Sequence, residues 1–377
     1  MKIALIHDHL TCKAGGEQVA LTFHKAFPQA PIFTLAYNRE ATFPEFKNCD
    51  IRSSWFQSIT NDEHKLKKLF FPLGILAMRT LYLVEYDVVL ITGTHCGKYV
   101  RFSPNTVVIN YCFTPFRLAW NPDSYSQFSE SKTLSKLLLK QVVSVLKFWD
   151  KRFAERVDHF IAMTKETQGR IVQAYEPRNS VPIINPPVNN LEKYSTHNDN
   201  GSKGYFLIVS RLEYYKKVDL AIKVFNNLEH HLVVVGKGSK ESELIALADS
   251  KKVTFMKNVS TEDLATLYAG CRAFIFPQYE DYGLTALEAN ASGRPVIAFR
   301  KGGVLDTQKE FDETDSSGTA IFFDTQDEVS LRAGIQRFEK LEPLFSSKDI
   351  RRHAEGFSEE KFIAKIRAFV NEKASIS

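Results

Sequence analysis

The feature that most constrains this chain is an alternation that runs through it twice. Short β-branched and apolar runs are separated by longer stretches with helical spacing. In the first half the runs are KIALI (2–6), DVVLI (87–91), TVVIN (106–110) and HFIAM (159–163), with helical patterns over 16–27 and 133–156. The second half repeats the theme with YFLIV (205–209), HLVVV (231–235), VTF (253–255), AFIFP (273–277) and PVIAF (295–299). Its helical patterns cover 218–227, 239–248, 261–268 and 284–292. Strands that are apolar along their whole length have both faces buried, and helical connections are what parallel strands need. The expectation is α/β: two doubly wound, Rossmann-like domains over residues 1–190 and 205–350, joined by a polar linker at 191–204. Such sheets bind ligands beyond the carboxyl ends of their strands, so a cleft faced by both sheets is the expected site. Residues 351–377 include a helical stretch, SEEKFIAKIRAFVNE, expected to return to the first domain.

Composition narrows the class. The 377 residues are 44% apolar and 25% charged, which is that of a soluble globular protein. No apolar stretch of roughly 18 residues or more is present, so no membrane span is expected. The five cysteines are dispersed without CxxC or metal-ligand spacing, which reads as reduced thiols in the cytosol. The opening MKIALIHDHL is broken by His7, Asp8 and His9 too early for a signal peptide. Residues 1–200 hold 24 Lys+Arg against 18 Asp+Glu, a charge of +6, while the remainder carries 25 against 26, or −1. That excess is too small to argue for nucleic acid, and none is expected as a partner; an anionic membrane surface or acceptor fits as well. Two basic amphipathic stretches, 64–86 and 131–158, mix Lys and Arg with Leu, Phe and Trp. They read either as sheet-covering helices or as a patch resting on an anionic bilayer, which would make the protein peripheral at the inner face of the cell membrane.

The strongest chemical signal is FPQYEDYGLTALEANASGRPVIA (276–298). A strand ends, a loop carries Glu280, and Gly283 opens a helix, so that Gly283, Leu284 and Thr285 are expected to present free amides at its N-terminus. Free amides and the helix dipole together favour an anion there. Glu288 lies further along the same helix, where a carboxylate can accept from a pair of ribose hydroxyls. A second piece, SRLEYYKKVDLAIKVFNNL (210–228), also follows a strand and opens a helix, and it carries Arg211 and Lys216. Two cations at one diphosphate stabilise a leaving group as charge collects on it. VVVGKG (233–238) and FMKNVSTEDL (255–264) are loops suited to hold a nucleotide, with the backbone up to Val259 facing the base.

These segments resemble glycosyltransferase family 4, whose members have the GT-B fold and retain the anomeric configuration. Glu280 and Glu288 match its E-x7-E signature, with the flanking YGL and the EA-x-A-x-G-x-P-V-I tail. The resemblance implies that Glu280 reaches the donor sugar, Glu288 the ribose, and Arg211 and Lys216 the diphosphate. Gly15 and Gly16, after strand KIALI, match the family's glycine loop near the donor phosphate. YCFTPFRLAWNPDSY (111–125) resembles a segment of the bacterial mannosyltransferase-like members, which usually read YCHTP; the histidine that touches the donor sugar is Phe113 here. His95, after strand DVVLI, offers an imidazole from a neighbouring strand end, and with Asp8 and Phe113 is assigned to the sugar or acceptor pocket.

The implied reaction is hexose transfer from a nucleotide diphosphate sugar, with GDP-mannose the first choice of donor. The acceptor is a glycan or lipid-linked molecule in cell-surface polysaccharide or glycoconjugate synthesis. No DxD triplet occurs, so no metal and no cofactor beyond the nucleotide-sugar co-substrate are expected. Phe113 keeps two alternatives open: transfer of a 6-deoxyhexose such as rhamnose or fucose, and a non-catalytic nucleotide-sugar-binding homologue.

Overall fold

A computed structural model describes residues 1–122, 133–195 and 204–375. The chain forms two compact units: residues 1–186 with 362–377, and residues 187–361. The first is therefore closed by the chain's own last helix.

The first unit's sheet comprises β1 (Ile3–His7), β2 (Ile32–Thr34), β3 (Ile51–Ser53), β4 (Val88–Gly93), β5 (Val107–Cys112) and β6 (His159–Ala162). All neighbours are parallel, in the order β3-β2-β1-β4-β5-β6. Residues alternate between the two faces, as a strand's period of two requires. Ala4, Ile6, Val89, Ile91 and Val108 enter one core cluster, while Leu5, Val88, Leu90, Val107 and Ile109 enter another. Both faces being apolar explains why these strands read as unbroken hydrophobic runs.

Helix α1 (Gly15–Ala26) covers the second cluster with Val19, Ala20 and Phe23. Helices α2 (Thr133–Ala154) and α3 (Lys165–Tyr175) cover the first with Leu146, Phe153, Ile171 and Tyr175. Leu66, Phe70, Ala77 and Met78 join that cluster, so each basic amphipathic stretch does turn an apolar side to the sheet.

The second unit repeats the plan with β7 (Tyr205–Val209), β8 (His231–Val235), β9 (Val253–Met256), β10 (Cys271–Phe276), β11 (Val296–Phe299) and β12 (Ala320–Phe323). Their order, β9-β8-β7-β10-β11-β12, is the same permutation, again parallel throughout. Helices α4 (Val218–Phe225), α5 (Thr261–Gly270), α6 (Leu284–Ala291), α7 (Glu328–Leu341) and α8 (Ser347–Ala354) surround it.

Three short strands, β2, β3 and β12, were not apparent from the apolar runs. The first two are only three residues long, too short to show a period. Residues 191–195 are helical rather than open linker, and Tyr194 is buried in the second unit's core; residues 196–203 lie outside the described residues. The unit boundary falls at Pro186, and α8 stays with the second unit. Only from Phe362 onward does the last helix, α9 (Glu359–Ala374), belong to the first. Phe362, Ile366 and Val370, spaced four apart, lie on one face and are buried; the Phe362 ring meets those of Phe23 and Tyr111 edge-on at 5.6 and 5.7 Å. Arg367 donates to the Ala26 carbonyl at 2.8 Å, satisfying the end of α1. No described helix is long and apolar enough to cross a membrane.

Candidate functional site

In each sheet the chain starts at an inner strand, builds outward to one edge, then returns to the other side of that first strand. The return point leaves a crevice at the carboxyl ends of the two central strands, β1 and β4 in the first unit and β7 and β10 in the second. Most of the residues singled out from the sequence lie around these two places, while Val259 follows the edge strand β9.

In the second unit, β7 is followed by Ser210, Arg211 and Leu212, packed backbone to backbone against the loop after β8. The Ser210 and Leu212 amides donate to the Val235 and Lys237 carbonyls, both at 3.0 Å. A Cβ at Gly236 would lie 1.9 Å from the Ser210 carbonyl oxygen, so only glycine allows this approach. The Arg211 side chain stays exposed and donates to the Tyr215 hydroxyl at 2.6 Å. Lys216 closes a short 3-10 turn ahead of α4, is buried, and pairs with Glu280. The first cation and first carboxylate found in the sequence thus meet, although 64 positions separate them.

Glu280 lies beyond β10, where its backbone bridges Gly302 and accepts from the Gly303 amide at 2.8 Å. Gly283 precedes α6 at φ +109°, a left-handed conformation that β-carbon-bearing residues avoid. No side chain caps this helix, so its first-turn amides, including those of Leu284 and Thr285, point outward from an eight-residue helix. Glu288, within α6, is half-buried and accepts from the Tyr268 hydroxyl at 2.8 Å, with Tyr194 as a second donor. Burial raises the Glu288 carboxyl above its ordinary value, and the two hydroxyls pull it back in part. Sequence reasoning missed both tyrosines, because neither lies near the signature. Val259 is half-buried against the same core cluster, one residue after Asn258 at φ +50°.

The first unit's crevice is built differently. Asp8, just past β1, accepts from the Thr94 amide and hydroxyl at 2.7 and 2.9 Å and from the Cys96 amide at 2.8 Å. His95 Nδ1 lies 3.3 Å from the same carboxylate. Burial alone would raise this carboxyl, but His95, His7 and the Thr94 amide hold it well below the usual carboxylate range. The His95 ring stacks on Phe116 at 4.6 Å and meets Phe70 edge-on at 4.6 Å, which fixes its plane.

Asp8, His95 and Cys96 also bring potential metal donors together. However, the carboxylate oxygens are already filled by N–H and O–H donors, and burial drives the Cys96 thiol away from the thiolate a metal needs. His7 and His9 do not converge. His7 bonds Thr92 at 3.0 Å, while His9 bonds Thr11 at 3.0 Å and faces Glu17 at 4.0 Å.

Gly15 and Gly16 open α1, again without a side-chain cap. A Cβ on Gly16 would meet the Phe113 ring at 3.1 Å, and that ring also contacts His7 and Tyr111 edge-on. Phe113 therefore packs against the glycine loop.

Beneath this crevice lies a charged network that sequence reasoning did not find. Lys98 and Asp150, whose side chains are 0% exposed, pair at 2.7 Å. Lys98 donates to the Tyr175 hydroxyl at 2.6 Å; that hydroxyl and the Trp120 indole donate to Asp150 at 2.7 and 2.8 Å.

Two units with the same doubly wound parallel sheet, each gathering loops at its crevice, define the GT-B class of fold. The family model described as Glycosyl transferases group 1 matches residues 191–357, which lie within the second unit. The O-antigen chain mannosyltransferase RfbU of Salmonella typhimurium is 24% identical over 72% of this chain and 70% of its own length. The glycogen synthase of Elusimicrobium minutum is 35% identical over 32% of this chain, a match that spans only 27% of that relative. Among solved structures, Anabaena Alr3699/HepE in complex with UDP and glucose superimposes with a TM-score of 0.72 at 15% identity, covering 99% of this chain and 100% of that one.

Proposed function

We propose that this chain is a retaining glycosyltransferase that moves a hexose from a nucleotide diphosphate sugar to a glycan or lipid-linked acceptor. One observation carries the reading: the second unit sets Arg211, Lys216 and the uncapped start of α6 around the carboxyl ends of β7 and β10. Cations beside an uncapped helix start support the reading of a diphosphate site. Lys216, the Arg211 guanidinium and the amides of Gly283, Leu284 and Thr285 would hold the two phosphates. Glu280, anchored by Lys216, keeps a second oxygen for a sugar hydroxyl. Glu288, oriented by Tyr268 and Tyr194, would accept from the ribose.

In the transfer, the bond from the sugar's anomeric carbon to the phosphate oxygen breaks. The departing nucleoside diphosphate takes the electron pair, and the acceptor oxygen bonds to the same face of the sugar as its proton passes to the departing phosphate. The cations stabilise the charge that collects on the leaving group. Mannose, carried by GDP, is the first choice of donor, supported by the likeness to an O-antigen mannosyltransferase. A second reading, transfer of a 6-deoxy sugar, is favoured by Phe113, which offers a hydrocarbon ring edge where the family resemblance puts a histidine. The test is to incubate the protein with a panel of nucleotide sugars, with and without acceptors, and follow nucleoside diphosphate release. Release from one donor, accelerated by acceptor, is expected; no release from any donor would leave a binding protein instead.

A further inference from the structure

A helix that covers a sheet normally turns charge toward solvent on its outer side. Helix α2 does not. Leu146, Asp150, Phe153 and Ala154 form its buried side. On its outer side, at i, i+3 and i+4, Val145, Phe148 and Trp149 are 46%, 64% and 45% exposed, and the Trp149 ring also stacks on the buried Phe153 at 5.8 Å. The two aromatic rings meet edge-on at 5.6 Å. Shallow hollows of about 360 and 380 Å³ flank the stripe, and Arg152 and Glu155 line both. Lys147 and Lys151 border one; Arg79, Arg156 and Arg178 border the other.

The only acids lining these hollows, Glu155 and Glu176, are paired with Arg152 and Lys151. Arg79, Lys147, Arg156 and Arg178 have no carboxylate partner among the described residues. Burial, then the neighbouring Arg79 and Arg101 charges, pull the Arg156 guanidinium below its ordinary value, which marks a crowd of cations. Arg101 in turn donates to the exposed Tyr82 at 3.3 Å, extending the aromatic, basic surface.

We propose that this face of the first unit is a docking surface for an anionic lipid bilayer. Phe148 and Trp149 enter the headgroup boundary, and the surrounding Lys and Arg side chains rest on lipid phosphates. Charge complementarity selects this occupant: cations without a carboxylate partner, three of them (Arg79, Lys147 and Arg156) laid over the Phe153, Trp120 and Phe102 rings, surround exposed aromatics, the arrangement that binds a fluid anionic surface. The inference stands whether or not the chain transfers sugar.

The full chain is sedimented with vesicles of phosphatidylcholine, alone or mixed with phosphatidylglycerol, at low and high salt. Binding only to the anionic vesicles, reversed by salt, is expected. Phe148→Ser with Trp149→Ser should lower partitioning at least tenfold, and Phe148→Ser alone, at a side chain 64% exposed, should lower it with unchanged melting. Arg79→Gln and Lys147→Gln should each lower it about fivefold, the equivalent of about 1 kcal/mol per cation. Equal sedimentation with neutral and anionic vesicles, or with neither, would overturn the proposal. So would light scattering that shows an oligomer which the double serine variant dissolves, because the stripe would then be covered by a second copy.

Discussion

The two units build the same sheet in the same strand order and then use its crevice in opposite ways. At the carboxyl ends of β1 and β4, polar groups satisfy one another: Asp8 is filled by amides and a hydroxyl, and His95 is clamped between aromatic rings. At the carboxyl ends of β7 and β10 two cations gather: Arg211 is exposed and Lys216 pairs with Glu280, beside a helix that, like α1, begins uncapped. The shared topology supplies a place for a ligand; the residues placed there decide whether it awaits an anion. The contrast supports the proposal that the nucleotide binds the second unit, where the family match also falls.

The contrast is sharpened most by the network under the first crevice. Lys98→Met leaves Asp150 as a buried, uncompensated charge, which costs about 3–5 kcal/mol. Denaturant unfolding monitored in the first unit should show that loss. Replacing Lys98 and Asp150 together by Met and Leu should recover most of it, and no recovery would mean the pair contributes more than mutual neutralisation.

In the second crevice the expected loss is of activity rather than fold. Arg211→Ala and Lys216→Ala should each lower turnover by about a hundredfold or more, since one lost donor to a developing charge costs about 3 kcal/mol. Near-native rates in both, at saturating donor, would remove the diphosphate assignment.

Acid should separate the units by stability. Burial depresses His9 to about 4, whereas an unfolded histidine titrates near 6.5. Between those values the unfolded chain binds the extra proton, so stability falls as pH drops from about 6.5 to about 4, by up to about 3 kcal/mol, and no further below that. The Asp8 carboxylate, held low, keeps its contribution through this window and loses it only in stronger acid. Thermal melts of wild type and His9→Gln across the window should show a flatter profile for the variant.

The smallest effect expected is at Phe113. Because its ring packs on Gly16, His7 and Tyr111, Phe113→His should cost little stability and change the ratio of rates for GDP-mannose and GDP-rhamnose by only several-fold. An unchanged ratio would confine Phe113 to packing against the glycine loop.

What was legible in the sequence follows from the range of each interaction. Strands buried on both faces announce themselves as apolar runs, and the segments around Arg211, Lys216, Glu280 and Gly283 stand out because their chemistry is local. Lys98 carries no such mark. Its partners Asp150 and Tyr175 lie 52 and 77 positions away, and a lysine beside a short apolar run reads as surface until the fold buries it. Tyr268 and Tyr194 were hidden for the same reason, since only tertiary packing sets them on Glu288. The stretch holding α2 reads as an amphipathic helix; only the structure shows that Val145, Phe148 and Trp149 stay exposed among the lysines and arginines of its outer side.

The central claim, that the second crevice is the nucleotide diphosphate site, is tested most directly by calorimetric titration of UDP and GDP into wild type, Arg211→Ala, Lys216→Ala and His95→Gln. One of the two nucleotides is expected to bind wild type and His95→Gln alike. The Arg211 and Lys216 variants should bind it at least about tenfold more weakly, as the loss of a hydrogen bond to a charged group predicts. Undiminished binding by both of those variants, with loss in His95→Gln, would move the site to the first unit and contradict the account.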